Sequence, residues 1–314
     1  MPADGRFAPS PSSELHLGNL RTALLAYLAA RSRGGRFLLR IDDLDAGRSR
    51  PEVAEQQLAD LARLGMGHDG EVPRQSARVG RYAEAFAQLV AADHVYPCFC
   101  TRAEIREASS APHGAPTGAY PGTCRDLSPA ERARREATGR RPAWRLRAGA
   151  APEEIDDLVL GRQVVCSEDV VVQRADGGFG YQLAVVLDDA DQGVDEVVRG
   201  ADLLPSVGTQ RELAALLDLP PVAYAHVPLM CGADGTRLAK RHGAAGLTDA
   251  LAGRAGIRLP GLRPGAPTTA EEVRGALAAT VGLADPGTAP SLDELVREFT
   301  YERLPTRSTM MQGC

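Results

Sequence analysis

The chain has 314 residues, 25 % of them charged and 44 % hydrophobic, with a formal net charge of −5. The length points to two domains, or one with a large insertion, and the composition excludes disorder. The longest nearly apolar run, residues 24–30, is far short of the ~20 residues a bilayer span needs, and Met1-Pro-Ala-Asp-Gly-Arg6 carries no secretory signal, so a cytoplasmic protein without membrane contact is expected.

The first strand pattern ends at Arg6-Phe-Ala-Pro-Ser10. After a loop with Pro11, Ser12 and Ser13, His16-Leu-Gly-Asn19 opens a helix to about Arg31, with Leu20, Leu24, Tyr27 and Leu28 on one face. Gly34-Gly35 ends it. Arg36-Phe-Leu-Leu-Arg-Ile41 predicts a strand that delivers Asp42-Asp43-Leu44-Asp45 at its carboxyl end. Pro51 predicts a helix start, with Val53, Leu58, Leu61 and Leu64 on its apolar face, and a further helix spans about 78–94. Residues 1–95 thus alternate strand and helix. That is the mark of an α/β fold with a parallel sheet, whose ligands bind at the carboxyl ends of the strands.

Residues 96–150 change character and read as an insertion. They hold Cys98, Cys100 and Cys124, a Gly/Pro/Ser stretch at 109–122, and eight Arg against three acids between residues 125 and 147. Over 151–241 the alternation resumes, with strands expected at 170–173, 196–198 and 223–228, a helix at about 207–217, and Arg237-Leu-Ala-Lys-Arg241 on a loop. Residues 242–314 predict two helices from the capping boxes Thr269-x-x-Glu272 and Ser291-x-x-Glu294.

The six Cys are too sparse for a disulfide framework. Cys166 and Cys231 are expected as small core residues, and Cys314 as exposed. Three thiolates at Cys98, Cys100 and Cys124 suit Zn²⁺ in a reducing cell, and His113 is the fourth ligand the residue types suggest. Of the 36 cationic residues 35 are Arg, and Lys240 is the only Lys. It is either an accident of composition or a position that needs a compact ammonium.

A His-x-Gly at a strand-to-helix turn offers backbone N–H groups and an imidazole to phosphate, but alone it is a common helix start. Taken with Arg237-Leu-Ala-Lys-Arg241, the His16–Asn19 turn resembles the paired HIGH and KMSKS signatures of class I aminoacyl-tRNA synthetases. The resemblance is closest to the glutamyl-tRNA synthetase family. Arg6-Phe-Ala-Pro-Ser-Pro11, Arg40-Ile-Asp-Asp-Leu-Asp45, Tyr181-Gln-Leu-Ala-Val-Val-Leu-Asp-Asp189 and Val198-Arg-Gly-Ala-Asp202 match its further motifs in order. About seventy residues beyond Lys240, with Cys98-x-Cys100 and Tyr120-x-x-x-Cys124, narrow it to a truncated branch, the glutamyl-queuosine tRNA(Asp) synthetases.

The resemblance implies a class I synthetase-like Rossmann (HUP-type) sheet split by a zinc-containing insertion, followed by a short helical segment without an anticodon-binding domain. It implies Zn²⁺ on Cys98, Cys100, Tyr120 and Cys124, and Mg²⁺ with ATP. His16, Asn19 and Lys240 take catalytic positions, and His16, Gly18 and Lys240 bind ATP. Arg6, Phe7, Ala8, Pro9, Ser10, Asp42, Tyr181 and Arg199 form the L-glutamate site, with Asp42 where the family carries Glu. The implied reaction is glutamyl-adenylate formation without tRNA, then transfer to queuosine in tRNA(Asp) by a monomer. Two other readings stay open: a compact glutamyl-tRNA synthetase charging a tRNA 3′ end, and a catalytically weakened RNA-binding paralogue. The arginines of residues 125–147 are candidate phosphate contacts, or a solvated face with pairs such as Arg132 to Glu136.

Overall fold

A computed structural model describes residues 2–109, 120–149, 151–232, 245–254 and 258–310. The strands in chain order are β1 (Gly5–Phe7), β2 (Phe37–Leu39), β3 (Val95–Cys98), β4 (Ala143–Leu146), β5 (Glu153–Asp157), β6 (Gly161–Val165), β7 (Val171–Gln173), β8 (Glu196–Gly200), β9 (Ala223–Val227), β10 (Met230–Cys231) and β11 (Thr309–Met310). The helices are α1 (Leu17–Ser32), α2 (Pro51–Arg63), α3 (Val79–Ala91), α4 (Arg102–Ser109), α5 (Pro129–Glu136), α6 (Tyr181–Gln192), α7 (Val207–Leu216), α8 (Leu247–Leu251), α9 (Ala270–Ala279) and α10 (Leu292–Glu298). None of the described helices is long and apolar enough to cross a membrane.

The central sheet is parallel, in the order β2-β1-β8-β9. From β1 the chain crosses over through α1 to β2 on one side, while β8 lies on the other. This reversal leaves a crevice at the carboxyl ends of β1 and β8, where open α/β sheets bind ligands.

Helix α1 is buried almost all round, not on one stripe: Leu17, Leu20, Arg21, Ala23, Leu24, Leu25, Ala26, Leu28, Ala29 and Ala30 are all inaccessible. One side packs on β1 and β8 and the other on α9 and α10, so the helix is a core element buried on more than one face. Its one buried cation, Arg21, donates to the Pro228 carbonyl (2.5 Å) and to Thr280 Oγ1 (3.3 Å). Gly5 lies where a Cβ would come within 3.2 Å of Ala30 Cβ, so the close approach of β1 to this helix favours the bare backbone. The capping boxes Thr269/Glu272 and Ser291/Glu294 are both formed, and Pro51 is the first residue of α2.

Two expectations need correction. The strand at 171–173 does not join the parallel sheet: β7 pairs antiparallel with β4, and β4 with β3, making a separate three-stranded sheet. The segment 153–165 is an antiparallel hairpin, β5–β6. The misreading of 171–173 has a plain cause, since short β-branched runs do not reveal their partners. Cys166 is exposed rather than a core residue, because β6 ends at Val165 and the chain leaves the sheet there, whereas Cys231 is buried as expected. Cys314 lies outside the described residues.

Candidate active site

Eleven residues singled out in the sequence line one cleft of about 460 Å³ at the crevice: Arg6, Phe7, Ala8, Pro9, Ser10, His16, Gly18, Asn19, Asp42, Tyr181 and Arg199. Lys240 and the rest of the 237–241 segment lie outside the described residues. His16 is the N-cap of α1, and its Nδ1 accepts the backbone N–H of Asn19 at 3.2 Å. A Cβ at Gly18 would come within 3.0 Å of the His16 ring, so glycine lets the imidazole lie against the turn. The helix start and the imidazole together face the cleft with positive character.

Arg6 and Asp42 of the cleft lining connect to a chain of buried charges behind it. Arg6 grips Asp189 with two parallel bonds of 3.1 Å. Arg40, fully buried, donates to Asp42 (2.7 Å), Asp189 (2.7 Å) and Gln192 (2.9 Å), and stands 3.6 Å from Asp188. Asp188 also accepts from Gln75, Arg78 and Tyr82. Burial pushes the Asp42 carboxyl up to about 6, with Arg40 opposing and Asp189 and Asp188 adding to the rise. Asp189 has two guanidinium partners and stays below the usual carboxylate range despite its burial.

Arg199 is different. Its Nε donates to His226 Nε2 (3.0 Å), Nη1 to Gln210 Oε1 (2.7 Å) and Nη2 to the Leu203 carbonyl (3.2 Å). All three acceptors are neutral, and among the described residues no carboxylate pairs with it. A buried guanidinium held this way keeps its charge and two spare N–H groups for a carboxylate entering from the cleft. Tyr181, the first residue of α6, presents its ring to the same space and is 42 % exposed.

Residue patterns missed several contributors. Gln57 of α2 donates to the Ser10 and Ser13 carbonyls (3.0 and 2.7 Å) and holds the loop between β1 and α1. Gln210 is held by Gln182, which is held by Ser206. His226 and Asp157 stand behind Arg199. Arg40 and Asp189 lay inside quoted motifs, but only the fold shows that they bridge 149 residues of sequence.

At the end of β3 the thiols of Cys98, Cys100 and Cys124 lie within 4.8 Å of one another, and Cys100 and Cys124 are 3.5 Å apart. Tyr120 Oη is 3.3 Å from Cys98 Sγ and 3.8 Å from Cys100 Sγ, and it accepts the Cys124 N–H at 2.8 Å. A tetrahedral zinc with Zn–S near 2.3 Å needs S–S edges of about 3.8 Å and S–O edges of about 3.6 Å. The Cys100–Cys124 edge and the two Tyr120 edges lie close to these lengths, and the three sulfurs are near enough together to share one ion. The Arg145 guanidinium covers the Tyr120 ring at 3.7 Å, while burial and the Cys98 sulfur push the phenol up, so it holds its proton until a metal displaces it. Hydrogen bonding from Cys124 pulls the Cys98 thiol well below its ordinary range against the opposing effect of burial, with Tyr120 and Arg145 contributing. His113 lies outside the described residues.

The basic cluster divides in two. Arg125, Arg140, Arg145 and Arg147 are used internally, on Asp169, the Phe99 carbonyl, the Asp169 carbonyl and the Arg125 carbonyl respectively. Arg132, Arg134 and Arg135 lie on α5, which buries no residue, and Arg141 is exposed. Arg132 and Glu136 form no ion pair, and the start of the helix is held by the Ser128–Glu131 capping box.

Comparison with known proteins follows the same lines. Residues 4–257 match the family described as tRNA synthetases class I (E and Q), catalytic domain. The chain is similar to the glutamyl-Q tRNA(Asp) synthetase of Nocardia farcinica, at 53 % identity over 96 % of this chain and 90 % of that protein. It is 49 % identical to that of Symbiobacterium thermophilum over 96 % of this chain and 93 % of the other. Among solved structures, a glutamate tRNA ligase from Elizabethkingia meningosepticum in complex with its amino acid superposes with a TM-score of 0.81 at 25 % identity, covering 99 % of this chain and 67 % of that one.

Proposed function

We propose a function for this chain from its family: it belongs to the class I tRNA synthetases (E and Q), and within them to the glutamyl-Q tRNA(Asp) synthetases. It activates L-glutamate with ATP and passes the glutamyl group to queuosine in tRNA(Asp). What supports this reading is the cleft itself, which Arg199, a buried cation with neutral hydrogen-bond partners, shares with the buried carboxyl of Asp42 and the Tyr181 ring.

Glutamate offers two carboxylates and one ammonium. Arg199 takes one carboxylate with its free N–H groups. Arg6, already paired with Asp189, supplies a weaker second contact, and the ammonium goes to Asp42. The α-carboxylate oxygen attacks the α-phosphorus of ATP, the new O–P bond forms, and the bond to pyrophosphate breaks. The substrate is its own nucleophile, so positioning and charge stabilisation do the work. His16 and the N–H groups at the start of α1 hold phosphate oxygens, and Lys240 follows the charge moving onto pyrophosphate. Mg²⁺ bound with ATP spreads the phosphate charge. A queuosine hydroxyl then attacks the glutamyl carbonyl, the ester forms and AMP leaves. Cys98, Cys100, Cys124 and Tyr120 hold a structural zinc, and the arginines of α5 meet RNA phosphates.

The test follows radiolabelled glutamate. Glutamate-dependent ATP–pyrophosphate exchange should proceed without RNA. Transfer should require queuosine in tRNA(Asp), vanish with plain guanine at that position, and survive removal of the 3′-terminal adenosine. Label stably attached to the 3′ end of tRNA(Glu) would establish a compact glutamyl-tRNA synthetase instead.

A further inference from the structure

We infer that Asp157 and His226 are positioning residues that aim the Arg199 guanidinium, and that they do so by fixing which imidazole nitrogen carries the hydrogen. The inference rests on the reading of Arg199 as the residue that receives a glutamate carboxylate.

The register of the sheet sets up the contact. Arg199 of β8 lies directly beside His226 of β9 in a parallel pair, on the same face. Arg199 Nε can only donate, so His226 Nε2, 3.0 Å away, must be the bare acceptor nitrogen. The hydrogen is therefore on Nδ1, which points at Asp157 Oδ2 at 2.5 Å. Asp157 sits at the end of β5, 69 residues away in sequence, and is itself fixed. Its Oδ1 accepts the backbone N–H groups of Val159 (3.0 Å) and Leu160 (2.9 Å), and the His226 N–H is shared between Oδ1 and Oδ2 at 3.2 Å each. The Tyr224 ring stacks on the imidazole at 14°, with centroids 6.0 Å apart, and so fixes its plane. Burial lowers the affinity of His226 for a second proton, so the ring stays neutral.

The choice of an imidazole has a chemical point. A carboxylate in contact with Arg199 would hold its Nε equally well but would neutralise the cation, as Asp189 does for Arg6. A neutral ring passes the hold of Asp157 to Arg199 while leaving the positive charge for the substrate.

Asp157→Asn tests this with almost no change of shape. Two backbone N–H groups, of Val159 and Leu160, are held by Oδ1 alone and the His226 N–H is shared, so the amide oxygen is favoured at Oδ1 and the NH₂ at the Oδ2 place. A donor facing Nδ1 forces the hydrogen onto Nε2, where it opposes the Arg199 N–H. In the full chain, ¹⁵N spectra of the imidazoles should show an Nδ1–H tautomer that disappears in His226→Phe and switches to Nε2–H in Asp157→Asn. In RNA-free pyrophosphate exchange, the KM for glutamate should rise about tenfold or more in Asp157→Asn and His226→Phe, with kcat and the KM for ATP changing less than about threefold. His226→Gln, whose carbonyl can still accept from Arg199, should recover most of the loss.

An Nε2–H tautomer in the unsubstituted protein would overturn the inference. So would an unchanged glutamate KM in Asp157→Asn, or a parallel rise of both KM values with a falling melting temperature in all three variants. If glutamate itself supports no exchange, the proposed substrate fails, while the tautomer spectra still decide the Asp157–His226–Arg199 arrangement by themselves.

Discussion

Replacing Asp42 with Asn should make the unliganded protein more stable while disabling its use of glutamate. Asp42 is 6 % exposed, and burial pushes its carboxyl from 3.8 up to about 6, although Arg40 pulls the other way. The fold therefore prefers the protonated acid. Below about pH 4 the folded and unfolded chains both hold the proton, and no penalty exists. As pH rises towards 6 the unfolded chain ionises first, stability falls, and the full penalty is present above about pH 6. A rise of about two pKa units corresponds to about 3 kcal/mol. The amide mimics the neutral acid, so Asp42→Asn should raise the unfolding free energy by up to about 3 kcal/mol near pH 8, the gain vanishing towards pH 4. Urea titrations at several pH values measure this directly. In pyrophosphate exchange the variant loses the anion that holds the ammonium, and the glutamate KM should rise about 10- to 100-fold. The unsubstituted enzyme should itself show a rising glutamate KM as pH falls through about 6. If Asp42→Asn is destabilised at pH 8, the Arg40 ion pair outweighs the burial cost and the reasoning is wrong.

Purified protein should carry about one zinc per chain, lost in Cys98→Ser or Cys124→Ser, with a lower melting temperature as the first consequence; metal analysis of chelator-free protein finding no zinc would contradict it. Lys240→Arg keeps the charge but not the compact ammonium, and should slow adenylate formation more than about tenfold; near-normal exchange would mean that the lone lysine is an accident of composition. Asp42→Glu restores the family's longer acid and should keep or lower the glutamate KM; loss of activity would show that the pocket is built around the shorter side chain.

The sequence motifs brought eleven cleft residues to light because those residues sit at strand ends and a helix start, where local chemistry leaves a local trace. Residues that hold them leave no such trace. His226 and Asp157 are separated by 69 positions and meet only because β9 and the β5–β6 hairpin adjoin. Gln57 looks like any polar residue of an amphipathic helix until its amide is seen on the Ser10 and Ser13 carbonyls. The antiparallel sheet β3-β4-β7 escaped for a similar reason. Its strands have three or four residues each, too few to show a period, and β4 and β7 are separated by a hairpin that pairs only with itself.

The two kinds of arginine described above respond differently to salt. Arg199 is 5 % exposed and faces the cleft, whereas α5 has no buried residue and offers its arginines to open solvent. Mobile ions screen exposed charges over about 8 Å at physiological ionic strength and reach buried ones poorly. Contacts between exposed arginines and a polyanion also weaken steeply with salt, since binding releases condensed counterions. On the proposed function, raising the ionic strength should weaken RNA contacts at α5 well before it weakens a small dicarboxylate at Arg199.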